Sequence, residues 1–90
     1  MTLLSMVEVD QAIAGTAWSR EGNELVLTVT KTDFADALAY VNDVGTLAEK
    51  MSHHPDIDIR WNAVTLRLST HSEGGLTERD LELARRIDDL

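Results

Sequence analysis

The sequence contains no cysteine, which removes disulfides, thiolate nucleophiles and every metal site built on a thiolate ligand. Basic residues are scarce: eight Lys and Arg stand against sixteen Asp and Glu, for a formal net charge of −8. Phosphate backbones are held by clustered Lys and Arg, so direct nucleic-acid binding is not expected. Aromatics are few, with two Trp, one Tyr and one Phe, so the core must come from Leu, Val, Ile and Ala. No apolar run approaches the roughly 20 residues of a membrane-spanning helix. No basic residue precedes Arg20 to open a signal peptide. A cytoplasmic protein with no membrane partner is the expectation.

What is present fits one small domain, since 90 residues do not divide into two stable cores. A domain of this size buries only about 60–65% of its unfolded surface, so self-association would add stability. Ser5-Met6-Val7-Glu8 fits a capping box. Met6, Val9 and Ile13 follow at helical spacing, with Gly15 as a left-handed stop, which predicts a helix over 6–14. Residues 16–20 and 23–30 flank Glu21-Gly22 as a hairpin, with Leu25, Leu27 and Val29 alternating against Val26, Thr28 and Thr30. Trp18 on the first strand reads as packing.

Thr32-Asp33 opens a long helix to about Ser52. Its stripe is predicted as Phe34, Leu38, Val41, Val44, Ala48 and Met51, with Gly45 allowing a close approach to the sheet. The single proline, Pro55, is expected to end this helix and to push His54 into extended geometry. Ile57, Ile59 and Trp61 then alternate as the inner face of a strand, and Asn62-Ala63 makes the turn. Val64, Leu66 and Leu68 face inward on the next strand, while Thr65, Arg67, Ser69 and His71 share its other face. After a Gly74-Gly75 turn, Thr77 opens a last helix with Leu76, Leu83, Ala84, Ile87 and Leu90 inward. The order αββαββα predicts an α+β two-layer sandwich, a four-stranded antiparallel sheet with three helices on one face.

All three histidines, His53, His54 and His71, fall in one segment. Imidazole both gives and takes a proton near neutral pH. Zinc sites on helices favour histidines four residues apart, whereas His53 and His54 are adjacent at a helix-to-strand junction, so no metal site is expected. There is no G-x-S-x-G elbow, and Gly74-Gly75 lacks the lysine of a phosphate loop. Thr77-x-x-Asp80 fits a capping box, so Asp80 reads equally as a helix cap and as a site residue. Glu49, one turn before the histidines, reads alone as a solvated carboxylate. From the residues themselves, a small acid–base enzyme and a polar ligand-binding domain remain equal readings.

The spacing Glu49-x3-His53-His54-Pro55-x5-Trp61-x9-His71-x8-Asp80 resembles the signature of the pterin-4a-carbinolamine dehydratases, also called 4a-hydroxytetrahydrobiopterin dehydratases. Seven positions match over thirty-two residues, and the likeness continues through Gly75–Ala84 and, upstream, through Trp18, the strand 25–30 and Asp33-Phe34. The resemblance implies dehydration of a 4a-hydroxytetrahydropterin to the quinonoid dihydropterin, which regenerates the cofactor of aromatic amino acid hydroxylases. It implies His53 and His71 in proton transfer and His54 in holding the pterin. Glu49 would orient the histidines, Pro55 would shape the turn, Arg79 and Asp80 would edge the pocket, and Trp61 would line or support it. No cofactor is implied, because the dehydration proceeds slowly unaided.

The sequence departs from some relatives at Ile57, where they carry an aromatic, and at Leu25 and Leu27, where phenylalanines are frequent. Glu73 adds a carboxylate to the loop beside His71. The family also associates as homodimers and homotetramers. Some relatives act instead as dimerisation or assembly cofactors of protein partners, a role that needs no intact histidine set.

Overall fold

The computed structural model describes residues 2–90. Helix α1 (Met6–Ile13) starts as expected: Ser5 Oγ accepts the Glu8 amide at 3.1 Å and Glu8 Oε1 accepts the Ser5 amide at 2.9 Å. Only Val9 of its stripe is buried, and Met6 is exposed. Strands β1 (Ser19–Glu21) and β2 (Glu24–Thr30) are joined by Gly22-Asn23, one residue later than predicted. The shift places Gly22, at φ +58, in the first central position, where a two-residue hairpin demands a left-handed residue.

Helix α2 (Phe34–Met51) is capped by Asp33, whose Oδ1 accepts the Asp36 amide at 2.8 Å. Its inner face is Ala37, Val44 and Ala48, flanked by Tyr40, Val41, Leu47 and Met51. Phe34 and Leu38, expected in the stripe, are 49% and 40% exposed. The helix is rotated because the tight seam against α3 and the sheet takes the small residues instead. Gly45 makes no close approach to the sheet, since nothing lies within 4 Å of where its Cβ would stand. The helix stops before Pro55 acts: Ser52 adopts φ +50, and the His53 amide reaches back to the Ala48 carbonyl at 3.0 Å, which is how a left-handed cap satisfies terminal carbonyls.

Strands β3 (Asp56–Arg60) and β4 (Ala63–Leu68) form a second hairpin, and the antiparallel sheet runs β1-β2-β4-β3. Its turn is Trp61-Asn62, one residue earlier than expected. Asn62 is drawn into it by Lys31, whose amide donates to the Asn62 carbonyl at 2.8 Å while Asn62 Nδ2 donates to the Lys31 carbonyl at 2.9 Å. Trp61 therefore leaves the inner face of β3 and stands 65% exposed at φ +53. Helix α3 (Glu78–Asp88) buries Leu81, Leu83, Ala84 and Ile87, whereas Leu90 lies past its end and is exposed.

Leu25 and Leu27 of β2 and Val64, Leu66 and Leu68 of β4 meet Val9, Ala37, Val44, Leu83 and Ile87 in one core. The helices thus cover a single face of the sheet, and the α+β architecture is the one the pattern predicts. Trp18 closes one end of the core, with Nε1 donating to Asp88 Oδ1 at 2.8 Å. The opposite end brings together the α2 terminus, the β4 exit and the first turn of α3. No helix among the described residues is long and apolar enough to cross a membrane.

Candidate active site

The centre of this end is Asp80, third residue of α3 and completely buried. A buried carboxylate is tolerable only when its oxygens are hydrogen-bonded. Here Oδ2 accepts the Thr77 amide at 2.9 Å and the Thr70 hydroxyl at 2.7 Å, and Oδ1 lies 2.6 Å from His53 Nε2. Thr70 and Thr77 hydroxyls are themselves 2.8 Å apart. Asp80 thus completes the capping box of α3 and also contacts His53.

The His53 side chain is only 8% exposed. Its Nε2 is held by Asp80, and Nδ1 has no hydrogen-bond partner among the described residues. Among the described residues no buried side-chain nitrogen or oxygen lacks a partner, so Nδ1 is an atom through which this ring reaches solvent. Against a carboxylate oxygen, which only accepts, a neutral imidazole carries its hydrogen on Nε2 and keeps a lone pair on Nδ1. The same logic of a carboxylate orienting an imidazole operates in catalytic triads.

His71 belongs to the loop that follows β4. Thr70 pairs with Gly75, its amide donating to the Gly75 carbonyl at 2.9 Å, and the loop thus pinched off begins with His71 in a single 3-10 turn. His71 is exposed, yet its neighbour Thr70 is only two hydrogen bonds from His53 through Asp80. His54 turns outward, its Nε2 paired with Glu49 Oε2, and both side chains are largely exposed. Pro55, half-buried, leads from this pair into β3.

Arg79 is committed to the scaffold. Its Nη2 donates to the Met51 and Ser52 carbonyls at 3.0 and 2.6 Å, satisfying the negative end of α2 and tying it to α3 just before the histidine pair. Trp61 is not part of the cluster. It sits beyond the far end of β3, which at about 3.3 Å per residue puts it on the order of 17 Å away, exposed on both counts of position and packing.

An open groove of about 570 Å³ lies between α2 and β3, lined by Val41, Gly45, Thr46, Glu49 and Ile57 among others. Of the expected site residues only Glu49 borders it. Glu49, the partner of His54, lines the groove, and none of the three histidines does. Among the described residues no three His, Asp or Glu converge as a metal site would require.

Two members of the cluster escaped sequence reasoning in this role: Thr70 altogether, and Thr77 beyond its helix cap. A signal for Thr70 existed. Val64, Leu66, Leu68 and Thr70 continue one alternation, so the fourth inward position carries a hydroxyl aimed at the core.

A family profile described as "Pterin 4 alpha carbinolamine dehydratase" matches residues 2–90. The chain belongs to that family. A protein of Roseiflexus sp. (strain RS-1) is 48% identical over 90 residues, covering 99% of this chain and 97% of its own. One of Nocardia farcinica (strain IFM 10152) is 56% identical over 73 residues, covering 81% and 77%. Both carry the name "Putative pterin-4-alpha-carbinolamine dehydratase". Among solved structures, a transcriptional coactivator/pterin dehydratase from Brucella melitensis superposes with a TM-score of 0.91 at 28% identity, covering 98% of this chain and 97% of that one. A pterin dehydratase-like protein identified as a RuBisCO assembly factor in the alpha-carboxysome shares the fold, with a TM-score of 0.69 at 22% identity over 83% and 89% of the two chains.

Proposed function

We propose that this family member catalyses dehydration of 4a-hydroxytetrahydrobiopterin to the quinonoid dihydropterin by histidine acid–base chemistry, in the cytoplasm. The observation that carries the reading is the His53–Asp80 pair, a nearly buried imidazole held at Nε2 with Nδ1 toward solvent. In the reaction the C4a hydroxyl takes a proton and leaves as water, the adjacent ring nitrogen supplies the electron pair, and a proton departs from the ring. His53, through Nδ1, and His71 are the two proton-transfer groups. His54, oriented by Glu49, holds the pterin, with Pro55 setting its approach. Asp80 and Arg79 act from beneath, the first on His53 and the second on the backbone of Met51 and Ser52. Positioned acid–base groups contribute about 10²- to 10⁴-fold, which suffices for a dehydration that already proceeds slowly unaided, and the reading calls for no cofactor.

The test follows disappearance of a freshly generated 4a-hydroxytetrahydropterin in a stopped mixing assay. Wild type is expected to accelerate it, and His53→Ala and His71→Ala each to lose most of the acceleration. Wild type indistinguishable from buffer would sink the reading.

A second reading, a non-catalytic dimerisation or assembly cofactor for a protein partner, is favoured by one observation. Phe34 and Leu38 on the outer side of α2 and Ile57 on the edge strand expose apolar surface. That role predicts partner binding that survives loss of all three histidines.

A further inference from the structure

We infer that Thr70 is a positioning residue of this site: its hydroxyl fixes the rotation of the Asp80 carboxylate that keeps the His53 hydrogen on Nε2 and frees Nδ1 for substrate. The inference deepens the proposed dehydratase reading and rests on it for its kinetic consequence.

Hydrogen-bond directions follow from counting hydrogens. Thr70 is 3% exposed and Thr77 and Asp80 are fully buried. A hydroxyl has one hydrogen to donate and two lone pairs to accept with. Thr70 donates to Asp80 Oδ2 at 2.7 Å, so the 2.8 Å contact between the hydroxyls uses the hydrogen of Thr77. The Thr77 amide supplies the second donor to Oδ2 at 2.9 Å. Two donors on Oδ2 define the carboxylate plane and turn Oδ1 to His53. Remove the Thr70 hydroxyl, and Oδ2 keeps a single donor about which the carboxylate can swing.

The same residue governs the other imidazole through its backbone. The Thr70 amide donates to the Gly75 carbonyl and its carbonyl accepts the Glu73 amide, each at 2.9 Å, which closes the loop that begins with His71. One residue thus sets His53 by its side chain and His71 by its main chain. The substitution that separates these effects is Thr70→Val, which keeps the β-branched shape of a strand residue and deletes only the hydroxyl.

The experiment compares wild type, Thr70→Val and Thr70→Ser by nitrogen-15 NMR of the imidazoles and by stopped mixing with 4a-hydroxytetrahydropterin. Wild type should show His53 solely as the Nε2–H tautomer, with a slowly exchanging Thr70 hydroxyl proton. Thr70→Val should mix the tautomers and lower kcat by about 10- to 100-fold while KM stays within about twofold, and Thr70→Ser should restore both readouts. A wild-type His53 hydrogen on Nδ1, or a freely exchanging Thr70 hydroxyl, overturns the inference even if Thr70→Val fails to fold. So does a Thr70→Val protein with wild-type tautomer and kcat, or a Thr70→Ser protein that behaves like valine. A wild type without dehydratase activity whose tautomer still depends on the hydroxyl overturns the proposed reaction and leaves the positioning role standing.

Discussion

At the scale of single residues, Asp80 shows what spacing reveals and what it hides. Its place three residues after Thr77 is visible in the sequence as a helix-start pattern. Its contact with His53, twenty-seven residues away, is a product of the fold, and the resemblance placed Asp80 only at the edge of the pocket. Thr70 was legible in principle from alternation, because a hydroxyl at an inward strand position must find a partner. Trp61 shows the limit of alternation. A period-2 pattern extends naturally through Arg60 into Trp61, and nothing local announces that Asn62 will be claimed by Lys31 and pull the turn forward by one. A bulky residue at positive φ is strained, so Trp61→Gly should leave stability unchanged or raise it by about 1 kcal/mol. Urea denaturation reads the stability and the dehydration assay the activity, which should not change. A marked loss of either would return Trp61 to the site.

At the scale of elements, the four strands and three helices were legible because capping residues and periodicity agreed, as they do for Ser5, Asp33 and Thr77. Faces were harder than spans: α2 presents Ala37 inward in place of Phe34 and Leu38, since packing favours small residues where a helix lies close to its neighbours and periodicity does not rank size. The helices also carry the pH response. Hydrogen bonds from the Ser5 backbone and side chain hold the Glu8 carboxyl below its usual 4.5, and Arg85 and Arg86 do the same for Glu82. A lowered folded-state pKa gives stability that is complete above the ordinary value and lost as pH falls through it. Burial, together with the Asp88 charge, pushes the Tyr40 phenol above its usual 10.0. That contribution is complete below about pH 10 and is lost as pH rises beyond it. Thermal midpoints should therefore fall on both sides of a neutral plateau. Glu8→Gln or Glu82→Gln should flatten the acid limb, and Tyr40→Phe the alkaline limb. A midpoint insensitive to these substitutions would contradict the assignment.

At the scale of the whole molecule, a small domain leaves apolar surface uncovered. Phe34 and Leu38 stand on the outer side of α2, and Ile57 borders the groove against the same helix. We propose that self-association covers this face, as a homodimer or homotetramer. Light scattering should give the mass of two or four chains, and Phe34→Glu with Leu38→Glu should reduce it without changing the far-ultraviolet circular dichroism. A wild-type mass of one chain would contradict the proposal.

The central claim is that His53 and His71, brought from two parts of the chain, act on one substrate molecule. The most direct measurement is a double-mutant cycle on the dehydration rate, with the buffer rate subtracted, for His53→Ala, His71→Ala and the pair together. Groups that work as a unit are strongly non-additive, so the double variant should be little slower than the worse single one. Single losses that multiply in the double variant, or a His53→Ala protein as fast as wild type, would show that the two imidazoles do not share the reaction.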